Sequence, residues 1–367
     1  MKISTKLEKV PGSRLSAVVL AASVLSLSLF AASATAAAKG PTLVVYSAQG
    51  YDAASVKAFL KTNPGFNVTL NDNSTGPLLQ QIQAEGSNPK WGVLWVDGAT
   101  AFAQLDDEGM LVKHEVPRVS FNKVGKENVP ADGSYVPTGL TATGALVYDS
   151  SQITAAQLPT TWADLLEPQY KGELGMNDPA QSGPTFPLIA GLMNFLGDYP
   201  VTGSIKKAIS AGEDFLTQLK ANGLVVNATN GPTISAIEAH QIKMAIVQSS
   251  AGYGQELTTS PSIRVAYLSP VTALPSVIGI DAKAPKKVRA EAQKFVDWVM
   301  SKAGQHVMQT GDPEGDSLFW PVLKGETPSN SVLPALANVP AQTINPYVWG
   351  PKEATINAWF ESNINNG

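Results

Sequence analysis

Apolar and polar positions along this chain switch between the period of a strand and the period of a helix. Residues 42–47 ("TLVVYS") are a short apolar, β-branched run that stops at the turn-prone "AQG", which predicts a buried strand. Residues 53–61 then place Val56, Phe59 and Leu60 on one helical face. "FNVTLND" (66–72) alternates and predicts a second strand. After "STGP" (74–77), Leu78, Leu79 and Ile82 mark the buried face of a second helix. "WGVLWVD" (91–97) predicts a third strand, and residues 99–109 a third helix. A βαβαβα series of this kind predicts a parallel sheet with helices on both faces. Such sheets bind ligands beyond the carboxyl ends of their strands. The polar ends "SAQG" (47–50), "NDNSTG" (71–76) and "DGAT" (97–100) should therefore meet on one rim.

Farther along, residues 135–149 are two extended runs flanking Gly139 and Gly144, and they predict a crossover. A second βα series, with a strand ending at Met176, Asn177 and Asp178, runs to about residue 260. Residues 263–285 are again extended and apolar and predict the return crossover. Residues 288–301 predict an amphipathic helix with Ala292, Phe295, Val296 and Val299 inward. The tail beyond Gly311 is rich in Pro and Asn and ends in a short helix near "KEATINAWFES". No fixed-period repeat interrupts this order, which excludes a solenoid. The predicted layout is two α/β lobes: residues 39–138 begin lobe I, residues 139–268 form lobe II, and residues 269–367 return to lobe I with C-terminal helices packing across both. Two crossing strands suit a hinge, and a cleft between lobes suits a ligand.

The first 38 residues change where this layout operates. Lys2, Lys6, Lys9 and Arg14 precede the uncharged apolar run 16–32, and Ala34-Thr35-Ala36 is a small-x-small exit. That order predicts a cleaved export signal, the other reading being an uncleaved anchor. The chain has no cysteine, so it offers no disulfide, thiolate metal site or lipid-bearing cysteine. An exported chain without cysteine fits a Gram-negative periplasm. Charged residues are 15% of the chain, against about 25% in ordinary globular domains, which argues against disorder and nucleic-acid binding. Removing a segment of +3 from a net −4 leaves a mildly acidic −7, favourable to solubility.

Three helices open with the same punctuation: Ser74-Thr75-Gly76-Pro77, Ser182-Gly183-Pro184-Thr185 and Asn230-Gly231-Pro232-Thr233. A helix N-terminus carries free N–H groups and partial positive charge, and it holds a phosphate or carboxylate without a lysine. Glycine permits close approach, and proline at the first helical position wastes no donor. The plain reading is ordinary capping. The first two copies follow strand ends, where a ligand belongs; the third is open between cap and contact. Asp97 is either a cap residue or an acceptor for a ligand ammonium, with Asp178 as a second candidate acceptor. Trp95 and Trp320 read as packing residues. His114, His240 and His306 are scattered without metal-ligand spacing, and no G-x-S-x-G elbow is present, so neither a metal centre nor a catalytic residue is predicted.

"LVVYSAQG", "STGPLLQQIQAEG", "GVLWVDGATAFAQLDDEGML", "NDPAQSGPTF" and "AEAQKFVDWVMSKAGQ" resemble, in this order, the periplasmic solute-binding proteins of ABC importers. The resemblance spans roughly residues 40–310 and points to the cluster of ferric-iron, 2-aminoethylphosphonate and sugar-phosphate binders, with polyamine binders more distant. It implies a two-lobed type II clamshell, a monomer without cofactor, that closes on a small ligand and delivers it to an inner-membrane permease. The ligand-binding positions it implies are Ala48 and Gln49; Ser74, Thr75 and Gly76; Asp97; Thr141 and Thr143; Gln181, Ser182, Gly183 and Thr185; and, within 248–253, Ser249, Ser250 and Tyr253. Ferric-binding members carry two adjacent tyrosines in that last loop. Here "VQSSAGYGQEL" has Ser249 and Ser250 at about those positions and Tyr253 alone, which argues against iron. The expected ligand is a small anion or zwitterion, a phosphonate such as 2-aminoethylphosphonate or a phosphate ester. Polyamine or ferric-iron binding is the alternative, and a periplasmic hydrolase ranks below both.

Overall fold

Each predicted strand of the first series forms, and each hands the chain to a helix at a polar end. β1 (Thr42–Ser47), β2 (Asn67–Asp72) and β3 (Val93–Asp97) alternate with α1 (Asp52–Thr62), α2 (Thr75–Glu85) and α3 (Ala99–Asp107). The computed structural model describes residues 40–114, 116–258 and 262–366, so the predicted export signal at 1–38 lies outside the described residues. After the short α4 (Lys123–Glu127) comes β4 (Tyr135–Asp149). The second series contains β5 (Leu174–Asn177), α5 (Thr185–Gly197), α6 (Ile205–Ala221), β6 (Val225–Asn227), α7 (Asn230–Glu238), β7 (Met244–Gln248) and α8 (Ser249–Thr258). The chain returns through β8 (Ile263–Ile280) to α9 (Lys286–Val299) and α10 (Lys302–Met308). β9 (Ala341–Gln342), α11 (Pro346–Trp349) and α12 (Glu353–Phe360) close it.

The strands form one sheet in the order β2-β1-β3-β8-β4-β7-β5-β6, with β9 added beside β8. β2, β1 and β3 are mutually parallel, as are β7, β5 and β6. The antiparallel pair β8 and β4 joins the two parallel sets. Both are long, and the predicted lobe boundaries at 138/139 and 268/269 fall inside them. β4 is a single strand where two runs were expected. Its register against β8 slips between Pro137 and Gly139 and again between Thr143 and Ala145, so the two glycines mark irregularities and not strand ends. Gly139 is required by packing, since a Cβ there would lie 2.7 Å from the ring of Phe319.

Apolar burial follows the two halves. Around β1–β3, Trp95 and Phe295 are fully enclosed, and Phe59 meets Phe295 edge-on with ring centroids 5.2 Å apart. Ala292, Phe295, Val296 and Val299 are the buried face of α9, as the periodicity predicts. Each large side chain so buried contributes about 1.5–3 kcal/mol. In the second half, Phe186, Leu188 and Ile189 of α5 pack with Met176 and Ile246. The strand ends are left to polar residues, and the site lies there.

Candidate functional site

The carboxyl ends of the strands meet at an open cleft of about 160 Å³. This is smaller than the roughly 300–1,000 Å³ of sites for drug-sized ligands, so it suits a small solute. The openings of three helices form part of its wall. Ser74 and Thr75 come from α2, Gln181, Ser182, Gly183 and Pro184 from the turn before α5, and Thr229, Asn230 and Gly231 from α7. Ser74 and Thr229 occupy the N-cap positions of α2 and α7 with extended backbones, yet neither side chain caps its helix. Among the described residues the N–H groups of Thr75, Gly183, Asn230 and Gly231 have no hydrogen-bond partner. Capping therefore does not account for these polar residues.

The Gly-Pro dipeptides act differently from expectation. Pro77 and Pro232 are the third residues of their helices, and Pro184 precedes the first residue of α5, so none stands at the predicted first position. The reason is that all of the first four helical N–H groups lack an intrahelical acceptor, and proline loses nothing at any of them. The glycines answer to closure. A Cβ on Gly76 would lie 1.9 Å from the carbonyl oxygen of Ala180, and one on Gly183 2.4 Å from Oγ1 of Thr75. The N–H of Gly76 donates to the carbonyl of Gln181 at 3.3 Å, so the two openings touch beside the cavity. A Cβ on Gly231 would meet nothing within 4 Å.

The remaining wall is acidic. Asp97, at the end of β3, accepts from Nε2 of Gln49 at 3.2 Å, from Nε2 of Gln248 at 3.1 Å and from the hydroxyl of Ser276. Burial drives its carboxyl above the ordinary range, and these three donors oppose that shift. It is thus held by side chains of β7, β8 and the β1 end and does not act as the cap of α3. Asp316 comes from the loop after α10, where its Oδ2 accepts from the N–H of Gly50 at 2.8 Å. Burial first, and then the charge of Asp97, push Asp316 up to about 8. No Lys or Arg stands in the wall, and no ion pair among the described residues engages either aspartate.

A hydrogen-bond chain links the two parts. Gln248 donates also to Thr141 at 3.2 Å and accepts from Asn230 at 3.3 Å. Asn177 donates to Oδ1 of Asn230 at 2.6 Å and to the hydroxyl of Ser182 at 3.2 Å. Since Ser182 accepts from Asn177, its own proton is left to donate to a ligand. A larger cavity of about 500 Å³ lies between α3, α11 and β8; its wall includes the starts of those two helices and Glu127, but none of the Gly-Pro openings and neither Asp97 nor Asp316.

Residues 54–332 match the family described as bacterial extracellular solute-binding protein. The chain belongs to this family. It is the solute-binding component of an ABC transporter. A relative from Serratia marcescens, an Fe(3+)-binding periplasmic protein, is 27% identical over 82% of this chain and 85% of its own length. A periplasmic protein named for 2-aminoethylphosphonate binding, from Salmonella paratyphi A, is 22% identical over 83% of this chain and 86% of its own length. Among solved structures, the periplasmic binding protein AfuA of Actinobacillus pleuropneumoniae, with fructose-6-phosphate bound, superposes with a TM-score of 0.74. It is 17% identical and covers 89% of this chain and 99% of its own, which fixes the fold as that of the type II periplasmic binding proteins. No helix among the described residues is long and apolar enough to cross a membrane.

In this solute-binding protein the predicted positions divide into three groups. Ala48, Ser74, Thr75, Asp97, Gln181, Ser182 and Gly183 line the cavity. Gln49, Gly76 and Thr141 stand behind the wall and hold it through the bonds given above. The others serve the framework. Thr143 donates to the carbonyl of Pro184 at 2.9 Å, Thr185 is buried as the first residue of α5, and Ser249 accepts from the N–H of Ala142 at 3.1 Å. Ser250 is buried with an unpartnered hydroxyl, and Tyr253 shares a hydrogen bond with Tyr267 at 3.0 Å inside the core. Asp178 does not reach the cavity wall; its carboxylate accepts from the N–H of Ala180 and from Asn365. Trp95 donates to Thr138 at 3.1 Å and Trp320 to the carbonyl of Pro334 at 2.8 Å, both as packing residues. Sequence reasoning missed Asp316 and Thr229. Thr229 sits directly before the third Gly-Pro opening, which was a usable signal. Asp316 lies in a tail loop with no local mark of a site.

Proposed function

We propose that this solute-binding protein works in the periplasm, delivered there by residues 1–38, and captures a small anionic or zwitterionic solute for an inner-membrane permease. The solute is a phosphonate such as 2-aminoethylphosphonate, or a phosphate ester. Residues 39–138 with 269–367 act as one lobe and residues 139–268 as the other, and the pair hinges on β4 and β8. The protein acts as a monomer and releases its ligand unchanged. The observation that carries this reading is the meeting of three helix N-termini, with unbonded amides at Thr75, Gly183, Asn230 and Gly231, around one small cavity. Their partial charges sum on an anion placed there. Ser74, Thr75 and Ser182 add hydroxyl donors.

The Serratia relative makes ferric iron the second reading, but this wall has no tyrosine. Titration calorimetry separates the two. Replacing Ser74 and Thr75 together by alanine removes two hydrogen bonds to a charged group, and phosphonate affinity should fall about 100-fold or more. Unchanged affinity in that variant, or tight binding of ferric citrate in place of phosphonates by the native protein, would overturn the reading.

A further inference from the structure

Asp97 and Asp316 face a cavity whose other polar residues are uncharged. Asp97 is only 6% exposed, and its three donors, Gln49, Gln248 and Ser276, are all neutral. Asp316 has one described donor, the backbone N–H of Gly50 on Oδ2, and none on Oδ1. A simple dianion held by the helix ends would share a small space with these carboxylates and no cation, and like charges at close range repel. A ligand that brings its own cation removes the conflict. An independent sign that the cavity is built for a ligand comes from Thr75. It is 5% exposed, it lines the same cavity, and its hydroxyl has no partner among the described residues.

We infer that Asp97 and Asp316 form a cation subsite, so that the ligand is a zwitterion whose ammonium group lies against the two carboxylates while its anionic group lies at the helix openings. The inference rests on the reading that the helix openings hold the anion. The arrangement of donors fits it. Gln49 and Gln248 fix the carboxylate of Asp97, and Asp316 is pinned only through Gly50, which leaves one oxygen for an N–H of the ligand. Without ligand, a proton on Asp316 takes the place of the cation, consistent with its shift up to about 8. The subsite therefore acts as a filter. Phosphate esters without an amine must bind beside Asp97 with Asp316 kept protonated, and amines without an anion leave the helix amides unpaired.

The test is calorimetric titration of the full mature protein with 2-aminoethylphosphonate and with propylphosphonate, which carries a methyl in place of the ammonium. The aminated compound should bind about 100-fold more tightly, the scale expected when one partner of a buried charge pair is removed. Asp316→Asn should reduce that preference to under about 10-fold while tightening propylphosphonate binding. Equal affinity of the native protein for both compounds would sink the cation subsite and leave the helix-end reading standing. Failure of both compounds to bind would sink the helix-end reading, and the subsite with it. Should Asp316→Asn not fold, the preference of the native protein decides alone.

Discussion

Around the cavity, the openings of α2, α5 and α7 offer uncharged amides and hydroxyls, whereas β3 and the loop after α10 offer two carboxylates. The two parts of the wall are stabilised in different ways. The helix openings are tied down by backbone contact, as between Gly76 and Gln181, and their donors remain free. The carboxylate of Asp97 is held by side chains from three strand ends, and its charge is left uncompensated. The contrast shows how a chain with few charged residues can bind a charged solute. Backbone dipoles serve the anion and need no lysine, while the two carboxylates are the charged groups that can serve a cation.

Breaking the backbone side should have the largest effect. Gly76→Ala sets a Cβ against the backbone carbonyl of Ala180, so the two helix openings cannot meet as they do here. We expect at least a 100-fold loss of phosphonate affinity, of the order that a misplacement of about 1 Å produces, with little change in the melting temperature of the free protein. Calorimetry and thermal melts on one preparation check both halves of that statement.

The carboxylate side should show itself through pH. Unfolded aspartate titrates near 4, whereas folded Asp316 titrates at about 8 under the influence of burial, Asp97, Asp312 and Asp52. Between those values the folded chain holds a proton that the unfolded chain has lost, so stability is greatest at the acid end and falls as pH rises through the window. Asp52, at about 6, and Glu353, at about 7, act in the same direction lower in the window. The fall between pH 7 and 8 therefore belongs mainly to the facing pair Asp97 and Asp316. The melting temperature should drop there by about 1–2 °C, and the drop should vanish in Asp316→Asn or with an ammonium-bearing ligand bound. A melting temperature that rises over that interval would contradict the assignment.

Gly231→Ala gives the smallest effect and sharpens the comparison within the helix openings. With open space around its Cβ position, alanine there should change affinity less than about 3-fold and stability by under about 0.5 kcal/mol. A large loss would mean that a ligand or a closing backbone occupies that space.

Much of this arrangement was legible in the chain. The strand-helix alternation, the inward face of α9, the strand ends at Ser47 and Asp97 and the three helix openings all rest on interactions within a few residues, which periodicity and turn chemistry report directly. Even there, the close approach that glycine permits takes its partner from the fold, Ala180 in the case of Gly76, which lies distant in sequence. Tyr253 illustrates the same limit. A tyrosine in a ligand loop and a tyrosine turned into the core toward Tyr267 have the same local sequence.

By itself, then, the sequence determined the two βα series, the long crossovers that join them and the donors available at each helix opening. Tertiary structure alone decided which of those donors share a cavity, and it alone added Asp316. That carboxylate reaches Asp97 because β8 runs back between β3 and β4 and returns the chain through α9 and α10 to the edge of the first strands. Charge interaction acts through space and not along the chain, so no local pattern around Asp316 could record its neighbour.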